Sequence, residues 1–437
     1  MNTIDYFKER FDRLKSLNGN AALNDIRKEA FNSFSAAGIP SVKHEEWKYT
    51  RIGAAFNVAY EFPISRQTAD IAAADLDAIR LPGYENANEL VFINGKFSPP
   101  HSVIRSPELL AMPLEEAAND DQYRSLISTH LGHSAKYLKD GINALNTAFI
   151  LGGIFIHVKK DKTVSHPTYI YNIADARSVN VLAQPRMLAY IGENAEAEIV
   201  ETYTTLGAGE SFTNQVIEII VDKDARVSYY KIQNDSSHAN QVSATHIRQI
   251  GKSYVHTATI SLSGAIVRNN LNIILEAEYS EAHLYGLYFQ EGNTHVDNHT
   301  LVDNIKPNCL SNELYKGILN DTASGVFNGK IYVQPDAQKT NAYQSNKNVL
   351  LSDTASMNTK PQLEIFADNV KCSHGCTIGR LNEEGLFYLQ SRGISIKKAR
   401  ALLLQAYAVD IIEQIKLDPI RGYIERLISE RLEFDIA

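Results

Sequence analysis

The chain has 437 residues, too many for one compact core, so two or three structural units are expected. With 44% hydrophobic and 22% charged residues, 24 Gly and 13 Pro, it is neither disordered, collagenous nor membrane-spanning in composition. Lys+Arg 43 against Asp+Glu 51 leaves a net charge of −8, which removes nucleic acid as an expected partner.

The opening residues, MNTIDYFKERFDRLKSL, alternate charge and apolarity and hold no signal-peptide core, which points to a cytoplasmic protein. Residues 3–37 read as helical: Ile4, Phe7, Phe11, Leu14 and Leu17 share one face, then Leu23, Ile26, Ala30 and Phe34 share another. Gly38 and Pro40 stop the second run. In the following loop, GIPSVKHEEWKYT (38–50), Trp47 and Tyr49 are expected to cover a helix end. LVFINGKF (90–97) is strand-like, and helical spacing returns over 112–149. The longest apolar or glycine run, 148–156, is nine residues, whereas a membrane span needs about 20.

From residue 153 to about 364 the pattern becomes all-β. Short runs such as EIVETY, VIEIIV, VSYYKI and LNIIL follow one another without helix starts. Similar turns centre on Ala195, Ala225, Tyr254 and Ala282, spaced by 30, 29 and 28 residues. A period in that range marks stacked repeating units. It is too short for a propeller blade, and an Ig-like sandwich would not repeat this way. A β-helix or other β-solenoid is therefore expected.

After residue 380 helices return. Asn382 caps a first helix, Gly393 ends it and Ser395 opens a second. The second carries Ile396, Ala399, Leu403, Ala406, Val409, Ile412 and Ile415, and Asp418–Pro419 starts a third. Such a tail is expected to pack on the end of the solenoid and shield its terminal coil. The domain reading is a mainly helical region 1–145, a parallel β-helix core 146–380 and a C-terminal helical domain 381–437.

With three cysteines, Cys309, Cys372 and Cys376, no disulfide framework is possible. KCSHGCTIG (371–379) gathers Cys372, His374 and Cys376, donors that suit iron, zinc or an iron–sulfur cluster. On an extended strand the three share a face, and Gly375 is expected to interrupt the extension and re-aim Cys376. A closed zinc site wants a fourth ligand that no local spacing supplies, as in a site shared between two chains. The plain alternative is two small core cysteines and a hydrogen-bonded histidine. His295, Asp297, His299 and Asp303 also share parity, either as a metal tripod or as polar contacts between coils. NAYQSNKN (341–348) looks like a stacked Asn/Gln ladder. GVFNGKI (325–331) fails as a phosphate loop, being one residue short with Ile331 at the magnesium position.

The block 325–394, from GVFNGKIYV through KCSHGCTIG to LQSRGI, closely resembles the SufB/SufD family of iron–sulfur cluster assembly proteins. GIPSVKHEEWKYT and DNHT (297–300) look like its SufD branch. The resemblance implies a right-handed parallel β-helix between helical terminal regions. It implies a non-catalytic scaffold subunit in a cytoplasmic complex. A SufB-like subunit would pair with residues near 340–380, and a SufC-like ATPase would dock on 381–437. It also implies that His374, with Cys372 beside it, takes part in transient iron or cluster binding shared with the SufB-like partner. No tightly bound cofactor is then expected on the isolated chain, which is free to form a homodimer. Cys376 stands where the commoner family form has Ala, so its role as a ligand is the least secure of the three. Two other classes fit parts of the sequence: a self-contained metal-binding protein using the cysteine–histidine cluster, and a β-helix carbohydrate-active enzyme, which would need paired carboxylates in a groove.

Overall fold

The computed structural model describes residues 3–17, 21–62 and 70–434. The central part is a parallel β-solenoid made of two long sheets, one of ten strands and one of eleven. In the ten-stranded sheet, Glu196 lies beside Arg226, Arg226 beside Tyr254, then Glu281, Leu310, Asn341 and Lys371 in turn. Each coil therefore uses about 30 residues. The repeat read from the sequence is present, but its last two centres drift. The corner residues equivalent to Ala195 and Ala225 are Ser253 and Ser280, so Tyr254 and Ala282 run one and two positions ahead. The repeat is of shape rather than letters, because a corner accepts any small residue.

Short polar side chains build three of those corners, and Tyr279 and Lys339 take the same positive φ at two others. Asn194, Asp224 and Asn308 adopt positive φ, which Asn and Asp tolerate better than other non-glycine residues. Their N–H groups donate to the corner of the next coil, to the carbonyls of Lys223, Lys252 and Gln338 at 2.8, 2.5 and 2.9 Å. Corner and strand hydrogen bonds thus run in the same direction, along the solenoid axis.

Strand alternation sends one set of side chains into the lumen and the other outward. Ile199, Val227, Val255, Ala282 and Leu284 meet Ile217, Ile247, Ile273 and Phe327 of the opposite sheet inside. The outward set of the ten-stranded sheet is apolar too. Tyr230, Ile260, Leu287 and Ile318 are buried beneath the tail helices Ile396–Ile412 and Asp418–Phe434, while Tyr169 and Tyr171 meet the N-terminal segment at Pro82 and Leu81. The tail therefore lies along the flank of the solenoid and does not cap its end. The reason is that this flank, outward-facing in the strand alternation, is as hydrophobic as the lumen. Its contact residues are Leu404, Ala408, Ile411, Ile412 and Ile415, and Ala399 is buried too, whereas Ile396, Ala406 and Val409 are exposed. The helix is apolar on more than one side, so spacing alone found Ala399, Ile412 and Ile415 but missed Leu404, Ala408 and Ile411.

The N-terminal region adds strands as well as helices. Asn88–Ile93 and Lys96–Phe97 start the ten-stranded sheet, and Leu109–Pro113 joins the eleven-stranded one. The helical stretch expected over 112–149 divides into Leu114–Ala117, Arg124–His130 and Gly141–Ala148. Helices Thr3–Leu17 and Asn24–Ala37 bury Phe7, Phe11, Leu14, Phe31 and Phe34 against the outer face of the solenoid. Residues 18–20 and the Leu17 side chain lie outside the described set. Trp47 covers no helix end: it stacks on the Arg268 guanidinium, 3.9 Å from the ring centroid, while Tyr49 is exposed.

A candidate shared metal edge at the end of the solenoid

The strand Lys371–Gly379 is the last of the ten-stranded sheet and pairs on one side only, with Asn341–Leu350. Its register is unbroken through Gly375, which sits beside Ser345, so the expected re-aiming of Cys376 does not occur. Space is not the constraint there, since no atom lies within 4 Å of where a Gly375 Cβ would stand. Cys372, His374 and Cys376 neighbour Ala342, Gln344 and Asn346, all buried in the lumen, while Tyr343 and Lys347 on the alternate face are exposed. The three donors therefore lie on the lumen side of the final coil. No coil follows, so Cys372 is half-buried and His374 and Cys376 are exposed.

The two sheet ends differ. The eleven-stranded sheet ends in Ser356–Thr359 and Gln362–Ile365, interrupted at Pro361, and Lys360 reaches Glu45 of the N-terminal loop at 2.6 Å. A short, proline-broken edge resists further pairing. Lys371–Gly379 has nine residues, no proline and no bulge. It is a strand open to another backbone.

Beneath it lies a polar floor. Gln344 donates to Glu313 at 2.8 Å, Asn346 to the Tyr288 hydroxyl at 3.0 Å, and Asn348 to Asn346 at 2.7 Å. The amides of 341–348 thus form a network with Tyr288 and Glu313, and not the coil-to-coil ladder expected, because neighbouring coils carry no matching amides. Gly329 makes room for it, since a Cβ there would stand 2.3 Å from Gln344 Nε2. Burial pushes the Glu313 carboxyl up to about 7, partly offset by Thr300 and Gln344. Burial also raises the Cys372 thiol, which packs among Ile331, Val333, Ala337 and Ala342. A thiol in that state is a poor ligand until a cation or a positive neighbour draws off its proton.

Two thiols and an imidazole form a soft to borderline donor set that fits iron and iron–sulfur chemistry. Along an extended strand, successive same-face residues stand about 6.6 Å apart, wider than the ligand spacing around a single tetrahedral ion. Among the described residues no group of three or more His, Cys, Asp or Glu forms a closed metal site. The edge presents donors without completing a coordination sphere.

The second histidine cluster has a different fate. Asp297 pairs with Arg268 at 2.6 Å and accepts from Thr50, and its other oxygen lies 3.0 Å from His299. His295 contacts Thr50 at 2.8 Å and Ser324 of the next coil at 2.7 Å. Asp303 accepts from Tyr137 at 3.0 Å and from Gln334 at 3.0 Å. These residues anchor the N-terminal segments to the outside of the solenoid rather than gathering as a metal tripod. The arginine ion pair holds Asp297 well below the usual carboxylate range against the cost of its burial. Sequence reasoning missed Glu313, which only strand parity places on the lumen side, in register with Leu284 and Gln344. It also missed the exposed aromatic pair Phe387 and Tyr388, 74% and 57% accessible, on the helix Glu383–Ser391.

Comparison with known families decides the wider context. A family model described as "SUF system FeS cluster assembly, SufBD core domain" matches residues 172–407, and one for the SufBD N-terminal region matches 1–170. The chain belongs to the SufBD family of iron–sulfur cluster assembly proteins. It is 30% identical over 408 residues to the iron–sulfur cluster assembly protein SufD of Escherichia coli, covering 90% of each chain. It is also 30% identical to a SufBD family protein of Synechocystis, over 93% of this chain and 90% of that one. The SufD of Bacillus subtilis is 26% identical over 67% of this chain and 68% of its own. In this SufBD protein no described helix is long and apolar enough to cross a membrane.

Proposed function

We propose that this SufBD protein is a SufD-type scaffold subunit, non-catalytic and cytoplasmic, that pairs through Lys371–Gly379 with a SufB-like subunit. Iron and the growing cluster are cargo held transiently between the two chains. His374 and Cys372 contribute from this side, and Cys376 adds a third donor. The single observation that carries the reading is the open, proline-free edge strand bearing those donors on its lumen face. A partner strand added there would continue both the sheet and the row of donors. The isolated chain could use the same edge to pair with a second copy of itself.

The tail 381–437 is the proposed dock for a SufC-like ATPase. Phe387 and Tyr388 are exposed, while the following helices are fixed to the flank through Lys316 and the Tyr407 carbonyl (2.9 Å) and through His256 and the Gln414 carbonyl (2.7 Å). Movement of a docked ATPase would therefore be felt by the coils that carry the edge. The test is co-expression with SufB-type and SufC-type partners. His374→Ala and Cys372→Ala should leave the complex assembled while its iron and sulfide content falls. Unchanged loading in both variants would reduce the motif to packing. Deleting 381–437 would strip the apolar flank, so Phe387→Glu with Tyr388→Glu is the sharper probe of ATPase docking.

A further inference from the structure

Parallel register places three side chains in one row across the last three coils of the ten-stranded sheet: Glu313, Gln344 and His374. All three lie on the lumen side, and adjacent members are one inter-strand step apart, about 4.8 Å. His374 is at the open end. Glu313 and Gln344 behind it are 2% and 3% exposed. Gln344 donates one amide hydrogen bond to Glu313 Oε2 and Thr300 of the opposite sheet faces the same carboxyl, but Gln344 Oε1 and Glu313 Oε1 have no hydrogen bond of ordinary geometry. Leaving a buried acceptor unpaired costs about 1–3 kcal/mol. The two bare oxygens sit one and two steps beneath an imidazole on an edge that already reads as a metal-handling surface.

We propose that Glu313 and Gln344 are oxygen ligands for a divalent cation admitted past His374, so that the end of the lumen receives iron before it is built into a cluster. The proposal rests on the scaffold reading above and deepens it. A carboxylate, an amide oxygen and an imidazole make a harder donor set than the thiols beside them, suited to a ferrous ion not yet bound to sulfide. Gly329 makes this possible, because any side chain there would occupy the position of Gln344.

The probe is manganous ion, a spectroscopic stand-in for ferrous iron, titrated into the purified full chain and followed by electron paramagnetic resonance. The parent should bind it with a pulsed-resonance nitrogen coupling that His374→Ala removes. Glu313→Gln should weaken binding at least tenfold, a loss of the size seen when a metal site loses a supporting group. Gln344→Met, which keeps the volume, should weaken it as well and covers the case in which Glu313→Gln does not fold. Equal affinity in parent and both variants, or no binding by the parent at millimolar metal, overturns the proposal. Cluster loading of the co-expressed complex is read separately. If His374→Ala lowers loading while manganese binding ignores Glu313, the scaffold reading stands and this one fails.

Discussion

Glu313 shows how a single buried group links stability to function. An ordinary glutamate titrates near 4.3, whereas burial holds Glu313 near about 7 in the folded chain. Below the ordinary value both states are protonated and the group contributes nothing to pH dependence. Between the two values the native state keeps a proton that the unfolded state has lost. Stability therefore falls as pH rises through this window and stays lower above it. Glu313→Gln removes the titration, so its melting temperature relative to the parent should climb between pH 5 and pH 8. A difference that is constant across that range would show that Glu313 does not carry the charge penalty. This residue was not visible as special in the sequence, because a lone acid between Asn312 and Leu314 looks like a solvated position. Only the parity of its strand places it inside. His374 and Cys372 were legible, because three soft donors at alternate positions are rare in a chain with three cysteines. Their exposure depends on being in the last coil, which no residue type reports.

At the scale of elements, the open edge carries the argument. In a parallel pair, alternate residues bond to the neighbour on either side. Lys371 donates its N–H to Thr340, so the N–H groups of residues 372, 374, 376 and 378 face the free side. Ile378→Pro would remove one of these without breaking a bond to Asn341–Leu350. The expected outcome is an unchanged melting temperature together with loss of co-purification with the SufB-type partner. Retained pairing would move the interface elsewhere. The strands and their period could be read from alternation and recurring corners. The place of the tail could not: whether a helix with several apolar sides caps an end or covers a flank depends on which outer sheet face is hydrophobic, and that is set by Tyr230, Ile260, Leu287 and Ile318, far away in sequence.

The whole molecule is a rod flanked by helices, with a short broken edge at the end of one sheet and a long unbroken edge at the end of the other. N-terminal helices cover the eleven-stranded sheet, the tail helices and the helix Ala73–Ile79 share the outer face of the ten-stranded one, and the strand Asn88–Ile93 lies at the start of the stack. Among the described sheet edges, the long one without proline or bulge is the strand that bears Cys372, His374 and Cys376. The most direct measurement uses a cluster-loaded complex in which only this chain carries ¹⁵N-histidine. Pulsed paramagnetic resonance of the reduced cluster should show a nitrogen coupling that disappears in His374→Ala. A loaded parent complex with no such coupling would contradict the claim that this edge completes the coordination of iron.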